Sequence, residues 1–222
     1  MIFTLDDEGP VALVRWHDGE NRINEDSLAA LHALLDELAA RSGPLALVLT
    51  GEGKFFSNGL DLERYGSDWP SLVAILPELH RVVARLLLFP AYTVGALNGH
   101  TFAGGALLSC ALDYRVMRAD RGFWCMNEVD IGLPLDEKLA SILLNRLPRA
   151  TALEVMLTGR RYAGPDAQRA GIVEEVAPGE ELVARAVAVA AAQAGKDRAV
   201  VAAHKRVVFR DVTTTLGFPP GV

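Results

Sequence analysis

An α/β fold with a parallel sheet is predicted by the order of the elements and by one strand in particular. Residues 45–50 form a continuous apolar run, which is typical of a strand covered by helices on both faces. A helix-like segment precedes this run and another follows it, an order that favours helices layered on a parallel sheet. A second strand-like run, residues 92–97, also leads through a glycine-bearing loop into a helix. The arrangement strand, glycine loop, helix therefore occurs twice in the chain.

The first elements are a hairpin and a long helix. Residues 2–5 and 11–16 alternate around an acidic Gly-Pro turn, which predicts two paired strands. The next segment begins after Asn24, a residue able to cap a first helical turn, and Ser-Gly-Pro at residues 42–44 ends it. Its apolar stripe consists of Leu28, Leu31, Leu34, Leu35 and Leu38. The spacing of these leucines predicts a helix with one buried face.

The middle of the chain alternates helices and strands. Residues 71–88 predict a helix, with a kink or a break at Pro77 because proline has no N–H to donate and its ring crowds the preceding turn. The elements expected next are a strand over 92–97, a helix over 104–112, and strands over 114–119 and 123–127. This part of the chain therefore continues the α/β pattern.

Beyond residue 134 the pattern becomes helical. The expected helices cover residues 136–146, 149–157, 165–170, 180–194 and 197–209, with one short strand over 172–176. We therefore predict a core over residues 1–134 and a helical C-terminal region over residues 135–222.

Composition excludes several classes of function. The chain has 222 residues, is 50% hydrophobic and carries a net charge of −6, which argues against a broad nucleic-acid surface but permits a local phosphate site. Charged and polar residues interrupt its apolar runs, so no membrane span is expected, and the acidic start fits no targeting segment. We expect a cytoplasmic protein. Cys110 and Cys125 lie in apolar surroundings and predict buried thiols, and the five scattered histidines predict no metal site.

The two glycine loops, residues 55–62 and 98–106, carry the strongest functional indication. Each leads from an apolar strand towards a helix, where backbone N–H groups have no partner within the helix. Two such loops that converge could hold a developing negative oxygen. Glu128 is then the candidate base.

Four motifs in the same order resemble the crotonase, or enoyl-CoA hydratase/isomerase, superfamily. They are Ser-Asn-Gly-Leu-Asp-Leu at 57–62, Asn-Gly-His with Ala-Gly-Gly at 98–105, Asp-Tyr-Arg at 113–115 and Asn-Glu-Val-Asp-Ile-Gly-Leu-Pro at 127–134. The likeness continues through residues 157–160 and 167–173. It implies a ββα spiral core of the ClpP/crotonase type with a helical C-terminal region.

The resemblance also implies an oxyanion hole and a reaction. In the family, backbone N–H groups at the positions of Leu60 and Gly104 hold the thioester oxygen. Hydratases carry one Glu three residues after the second of these positions and another four residues before a later glycine. Here the first position is Leu107 and the second is Glu128. One carboxylate where hydratases have two is similar to Δ3,Δ2-enoyl-CoA isomerases, in which a single base shuttles a proton.

The expected substrate is an acyl-CoA thioester, with coenzyme A as part of the substrate and no other cofactor. Candidate substrate and CoA contacts are Lys54, Ser57, Asn58, Gly59, Asp61, Gly105 and Lys205, with Arg206 as an alternative to Lys205. Asp61 is also interpreted as a cap that shapes its loop. Alternation along a strand would point Asn127 away from Glu128. The resemblance implies a homotrimer or a dimer of trimers, with the C-terminal region contributing to assembly and to the CoA site.

Two alternatives remain open from the sequence. Another CoA-thioester reaction, namely hydration, hydrolysis or decarboxylation, can run on the same fold. A catalytically silent binding paralogue would keep the loops and lack affinity for CoA.

Overall fold

A six-stranded sheet forms the centre of the computed structural model, which describes residues 1–66 and 68–219. Its strands, in spatial order, are β1 (Phe3–Glu8), β2 (Val11–Trp16), β3 (Ala46–Gly51), β5 (Tyr92–Leu97), β7 (Tyr114–Arg118) and β9 (Glu175–Ala177). The hairpin strands β1 and β2 pair antiparallel, and every following pair is parallel. The predicted parallel sheet is therefore confirmed.

A second sheet of three short parallel strands lies beside the first. It contains β4 (Phe55–Ser57), β6 (His100–Phe102) and β8 (Trp124–Cys125), in that order. The chain passes through the two sheets three times, and each pass places one strand in the large sheet and the next strand in the small sheet before a helix follows. The three strand pairs are β3 and β4, β5 and β6, and β7 and β8. This is the ββα spiral that the sequence predicted.

Ten helices surround the sheets in the described part of the chain. They are α1 (Glu25–Ala40), α2 (Leu62–Tyr65), α3 (Trp69–Leu87), α4 (Gly104–Cys110), α5 (Glu137–Arg146), α6 (Arg149–Thr158), α7 (Gly164–Arg169), α8 (Leu182–Ala194), α9 (Arg198–Val208) and α10 (Arg210–Leu216). Asn24 caps α1 by accepting from Ser27 N at 3.0 Å. No helix of the described residues is long and apolar enough to cross a membrane.

Two apolar clusters cover the faces of the large sheet. The leucine stripe of α1, the buried side of α3 and residues of α5 and α10 share one cluster. Alanines of α8 pack on the other face, against β2, β3, β5 and β7. The C-terminal helices thus share their core with the spiral, and β9 extends the large sheet. Residues 220–222 of the predicted C-terminal region lie outside the described residues.

Three elements differ from expectation. A single helix runs through Pro77, so of the predicted kink or break, the break does not occur. The strand expected at 123–127 ends at Cys125, and the strand expected at 172–176 begins at Glu175 instead. The short strands β4 and β6 lie within the segments that the sequence indicated only as glycine loops.

Candidate active site

The two glycine loops lie directly against each other. Gly59 has a φ of +81°, and a Cβ placed on it would lie 2.8 Å from Ala103 Cβ and 3.2 Å from Gly104 N. Contacts this short leave no room for a side chain at residue 59. Glycine is therefore required here both for its backbone conformation and for the close approach of the loops.

An isolated bridge orients the first loop. Ile23 N donates to Gly59 O at 2.8 Å, and Asp61 N donates to Ile23 O at 3.0 Å. The residue between these two partners, Leu60, directs its N–H away from Ile23 because a parallel bridge uses alternate residues. Gly104 begins α4, so its N–H has no partner within the helix. Neither N–H finds an acceptor among the described residues. Two free donors therefore meet where the loops touch.

Ala103, which precedes α4, has a φ of +50°. This conformation is rare for a residue with a Cβ, and it persists where the surroundings enforce it. Ala103 N donates to Cys125 O at 2.9 Å, which ties the second loop to β8. This strain could not be predicted from the residue type, because alanine does not mark a positive φ.

Ser57 and Gly105 pack between the two loops. Ser57 Oγ donates to Asn21 O at 2.6 Å and accepts from Gly59 N at 3.2 Å, and the side chain is fully buried. A Cβ on Gly105 would lie 2.6 Å from Ser57 O. The structure thus places both predicted contact residues in the packing between the loops rather than on the cavity wall.

Asn58 and Asp61 have different surroundings. Asn58 borders the cavity beside the loops, and its amide donates to Glu20 at 2.8 Å. Asp61 caps α2 by accepting from Arg64 N at 3.2 Å, and it also accepts from Asn24 at 3.3 Å. This geometry agrees with the interpretation of Asp61 as a cap that shapes its loop.

A cavity of about 90 Å³ opens beside the two loops. Leu60, Ala103, Gly104 and Glu128 all border it. Its apolar wall comes from Leu72, Leu76 and Leu79 of α3, Leu107 of α4 and Leu139 of α5. The cavity can therefore hold an apolar chain whose polar end lies at the loops.

Glu128 supplies a carboxylate with unusual surroundings. It is 8% exposed, and its Oε2 is buried without a hydrogen-bond partner among the described residues. Burial disfavours the charged form and raises the pKa of Glu128 to about 7. The carbonyl of Glu128 accepts from Leu133 N at 2.9 Å, which closes the turn after β8. A fixed carboxyl group with this pKa can both remove and return a proton near neutral pH.

Asn127 borders the same cavity, which corrects the expectation from strand alternation. Because β8 ends at Cys125, the two-residue period does not extend to residues 127 and 128. Asn127 Oδ1 is buried and has no partner among the residues described. It is thus a polar group beside Glu128 that sequence reasoning placed on the wrong side.

The two predicted cations differ in availability. Lys54 is exposed where the first loop begins, with its ammonium 5.3 Å from the centre of the Phe55 ring. Lys205 is only 6% exposed, and its ammonium contacts Asp113 Oδ2 at 2.5 Å and donates to Ala91 O at 2.9 Å. Burial lowers the pKa of Lys205, and the Asp113 carboxylate opposes that shift. A buried, paired ammonium is not available to a phosphate, so the structure argues against the predicted CoA contact of Lys205.

Glu128→Gln is expected to stabilise the protein above neutral pH. A carboxyl group whose pKa rises from 4.5 unfolded to about 7 folded binds more protons in the folded state between those values. The free energy of unfolding therefore falls as pH rises from 4.5 to 7, by about 3 kcal/mol, and glutamine abolishes that loss. Calorimetry at pH 8 should show the gain, and the gain should vanish at pH 4. A gain of equal size in exposed Glu180→Gln would contradict this origin.

Comparison with known proteins agrees with this geometry. A model of the enoyl-CoA hydratase/isomerase family matches residues 7–217. The chain belongs to the enoyl-CoA hydratase/isomerase family. Among family members, the peroxisomal enoyl-CoA delta isomerase 2 of Arabidopsis thaliana is 36% identical over 185 residues, which are 78% of this chain and 76% of that protein.

Solved structures of the family have the same fold. One is an apo enoyl-CoA isomerase of Mycobacterium tuberculosis, with a TM-score of 0.88 at 28% identity over 97% of this chain and 94% of that one. Another is an enoyl-CoA hydratase of Mycobacterium ulcerans, with a TM-score of 0.89 at 25% identity over 98% and 95% of the two chains. Proteins with this fold are therefore named as isomerases and as hydratases. The crotonase-like fold class predicted from the motifs is confirmed.

Proposed function

We propose that this chain is an enoyl-CoA isomerase that moves a double bond from C3 to C2 of its acyl group. The observation that carries the proposal is the carboxylate of Glu128, whose Oε2 is buried without a partner among the described residues and which borders the same cavity as Leu60 and Gly104. The isomerase named among the sequence relatives supports the same reaction class.

The proposed reaction needs one base and one oxyanion hole. The N–H groups of Leu60 and Gly104 would hold the thioester oxygen, which makes the C2 proton more acidic because the charge of the enolate develops on that oxygen. Glu128 takes the C2 proton, and the electron pair moves so that the C3–C4 double bond becomes a C2–C3 double bond. The protonated Glu128 returns its proton to C4, which restores the carboxylate. Atoms and charge balance without any co-reactant.

Leu107 distinguishes this site from that of a hydratase. It occupies the position where the resemblance places a second glutamate, and it is a buried part of the cavity wall. The other carboxylate that borders the cavity, Asp136, accepts from Leu139 N at 2.7 Å to cap α5, and its Oδ2 lies 3.1 Å from His80 Nε2. Glu128 is therefore the cavity carboxylate that has an oxygen without a polar partner in the described structure. A proton shuttle fits one such group better than water activation, which uses two.

A product analysis tests the proposal. The purified protein is given 3-enoyl-CoA and 2-enoyl-CoA separately, and the products are identified by mass and NMR. We expect 2-enoyl-CoA from the first substrate and no net gain of water from the second. Formation of 3-hydroxyacyl-CoA as the main product would make the chain a hydratase, the activity named for one of its solved relatives.

Lys54 is the proposed contact for the phosphates of coenzyme A, since its ammonium is exposed beside the first loop. Lys54→Ala should raise KM for the CoA ester about three- to tenfold, with kcat unchanged, because a surface ion pair contributes about 1 kcal/mol. The matched measurement uses a pantetheine thioester, which has no nucleotide phosphates and whose KM should not change. An equal rise in KM for both thioesters would reject the assignment.

The assembly and location of the protein belong to the same proposal. We propose a homotrimer or a dimer of trimers, as the family resemblance implies, and light scattering on the purified chain measures its mass. A peroxisomal location is the alternative to the expected cytoplasmic one, because the isomerase relative from Arabidopsis is named as peroxisomal. Imaging of the tagged protein in its own cells decides between these locations.

A further inference from the structure

A buried hydrogen bond joins the two segments that carry the candidate site. Trp124 Nε1 donates to Ser109 Oγ at 3.0 Å, and both side chains have no exposed surface. Ser109 lies in α4, five residues after Gly104. Trp124 begins β8, four residues before Glu128. The bond therefore connects the helix of one free donor with the strand that leads to the base.

Each partner of this bond is itself fixed. Ser109 Oγ donates to Ala106 O at 2.7 Å, which sets the direction of the hydroxyl so that its lone pairs face Trp124. Trp124 N donates to Tyr162 O, and Tyr162 N donates to Trp124 O, both at 2.9 Å. Trp124 also pairs with Thr101 of β6. The bond consequently joins two rigid elements and not two mobile side chains.

A second contact connects the same two elements. Ala103 N donates to Cys125 O at 2.9 Å at the beginning of α4. Residues 103 and 109 are about 9 Å apart along a helix axis at 1.5 Å per residue. The Ala103 contact ties the beginning of the helix to β8 and the Ser109 bond ties its far end to the same strand, so together they set the direction of α4 relative to β8, in addition to its packing against α5, β4 and β6. The direction of α4 in turn fixes that of the Gly104 N–H.

We propose that Ser109 and Trp124 are positioning residues that hold Gly104 N–H and Glu128 in register for proton removal from a bound thioester. This inference rests on the proposed function, in which both groups act on one substrate. Neither side chain borders the cavity. Loss of the bond should therefore impair the alignment of the reacting groups and leave substrate binding intact.

The test measures removal of the C2 proton separately from isomerisation. Each protein is given 3-hexenoyl-CoA in D₂O, and NMR counts C2–H removal as isomer formed plus deuterium gained at C2. Ser109→Ala should lower the maximal rate of C2–H removal about tenfold with KM within twofold of wild type, since small misplacements of reacting groups have effects up to a hundredfold.

A matched control isolates positioning from stability. Thr213 in α10 is also fully buried, and its hydroxyl donates to Phe209 O at 2.8 Å, with Arg210 O at 3.2 Å, both in the preceding turn of the chain. Thr213→Val removes a buried hydroxyl outside the site and should leave the rate unchanged. Trp124→Phe removes the donor, and the double variant with Ser109→Ala should be no slower than Trp124→Phe alone.

The outcomes separate the inference from the function. A Ser109→Ala rate within twofold of the Thr213→Val rate, or effects of the two single variants that multiply in the double variant, would overturn the positioning role. If the wild-type protein removes C2 protons without forming the isomer, the proposed function is wrong. The positioning inference is then still tested by the rates of C2–H removal in the variants. Wild-type protein that removes no C2 proton contradicts both.

Discussion

Glu128→Gln is expected to lower kcat for isomerisation by about 10²- to 10⁴-fold, the range that a general base contributes. Glutamine has the shape of the protonated glutamate but cannot accept the C2 proton. Because glutamine has nearly the same size as the buried Glu128 side chain and leaves the shape of the cavity unchanged, KM should change little. Steady-state kinetics with 3-enoyl-CoA gives both constants.

The matched control for this variant is Glu180→Gln, which removes an exposed carboxylate ahead of α8, away from the cavity. Its kcat should equal that of wild type. Activity of Glu128→Gln close to wild type, in a preparation free of other isomerases, would reject Glu128 as the base. The increased stability expected at pH 8 would in that case still show that the side chain is buried.

Gly59→Ala is expected to reduce kcat at least a hundredfold. The new Cβ would lie 2.8 Å from Ala103 Cβ and 3.2 Å from Gly104 N, so the two loops must separate. A separation of about 1 Å displaces one N–H from the thioester oxygen, and loss of one oxyanion donor costs about 10²- to 10³-fold in kcat. The variant should also lose about 1–2 kcal/mol of stability, because a residue with a Cβ is strained at positive φ.

Gly53→Ala separates these two effects. Gly53 also has a positive φ, +71°, but a Cβ on it would meet no atom within 4 Å. It should lose similar stability and keep its kcat. Equal kcat in Gly59→Ala and Gly53→Ala would show that the contact between the loops is unimportant for catalysis. Thermal denaturation and kinetics on the two variants provide the comparison.

The elements predicted correctly from the sequence are the long ones and those with a strong hydrophobic pattern. The leucine stripe of α1 is long enough to show the helical period, and the apolar run of β3 is long enough to indicate a strand buried on both faces. The strands of the second sheet have two or three residues, too few for a period, and they are stabilised by pairing with one another across the spiral. Phe55 pairs with His100, 45 residues later, and Thr101 pairs with Trp124, 23 residues later, so local patterns do not reveal these pairings.

The placement of some site residues was likewise predictable from the sequence, and that of others was not. Leu60, Gly104 and Glu128, which the motifs indicated as the candidate oxyanion hole and base, border one cavity. Asn127 was misplaced because the end of β8 could not be read from the sequence. Lys205 was predicted to contact coenzyme A, a role that needs an accessible ammonium group. Its burial depends on Asp113, which is far away in sequence and close in space.

Pro77 lies inside α3 without breaking it, and this has a consequence for how the cavity wall moves. The proline has no N–H to donate to the carbonyl of Val73 four residues earlier, so one hydrogen bond between the two halves of the helix is missing. Leu72 and Val73, which border the cavity, lie in the first half. That half can unwind at lower cost than the second, and its amide hydrogens should exchange with solvent faster. An opening of this part of the cavity wall therefore requires only the first half of the helix to unwind.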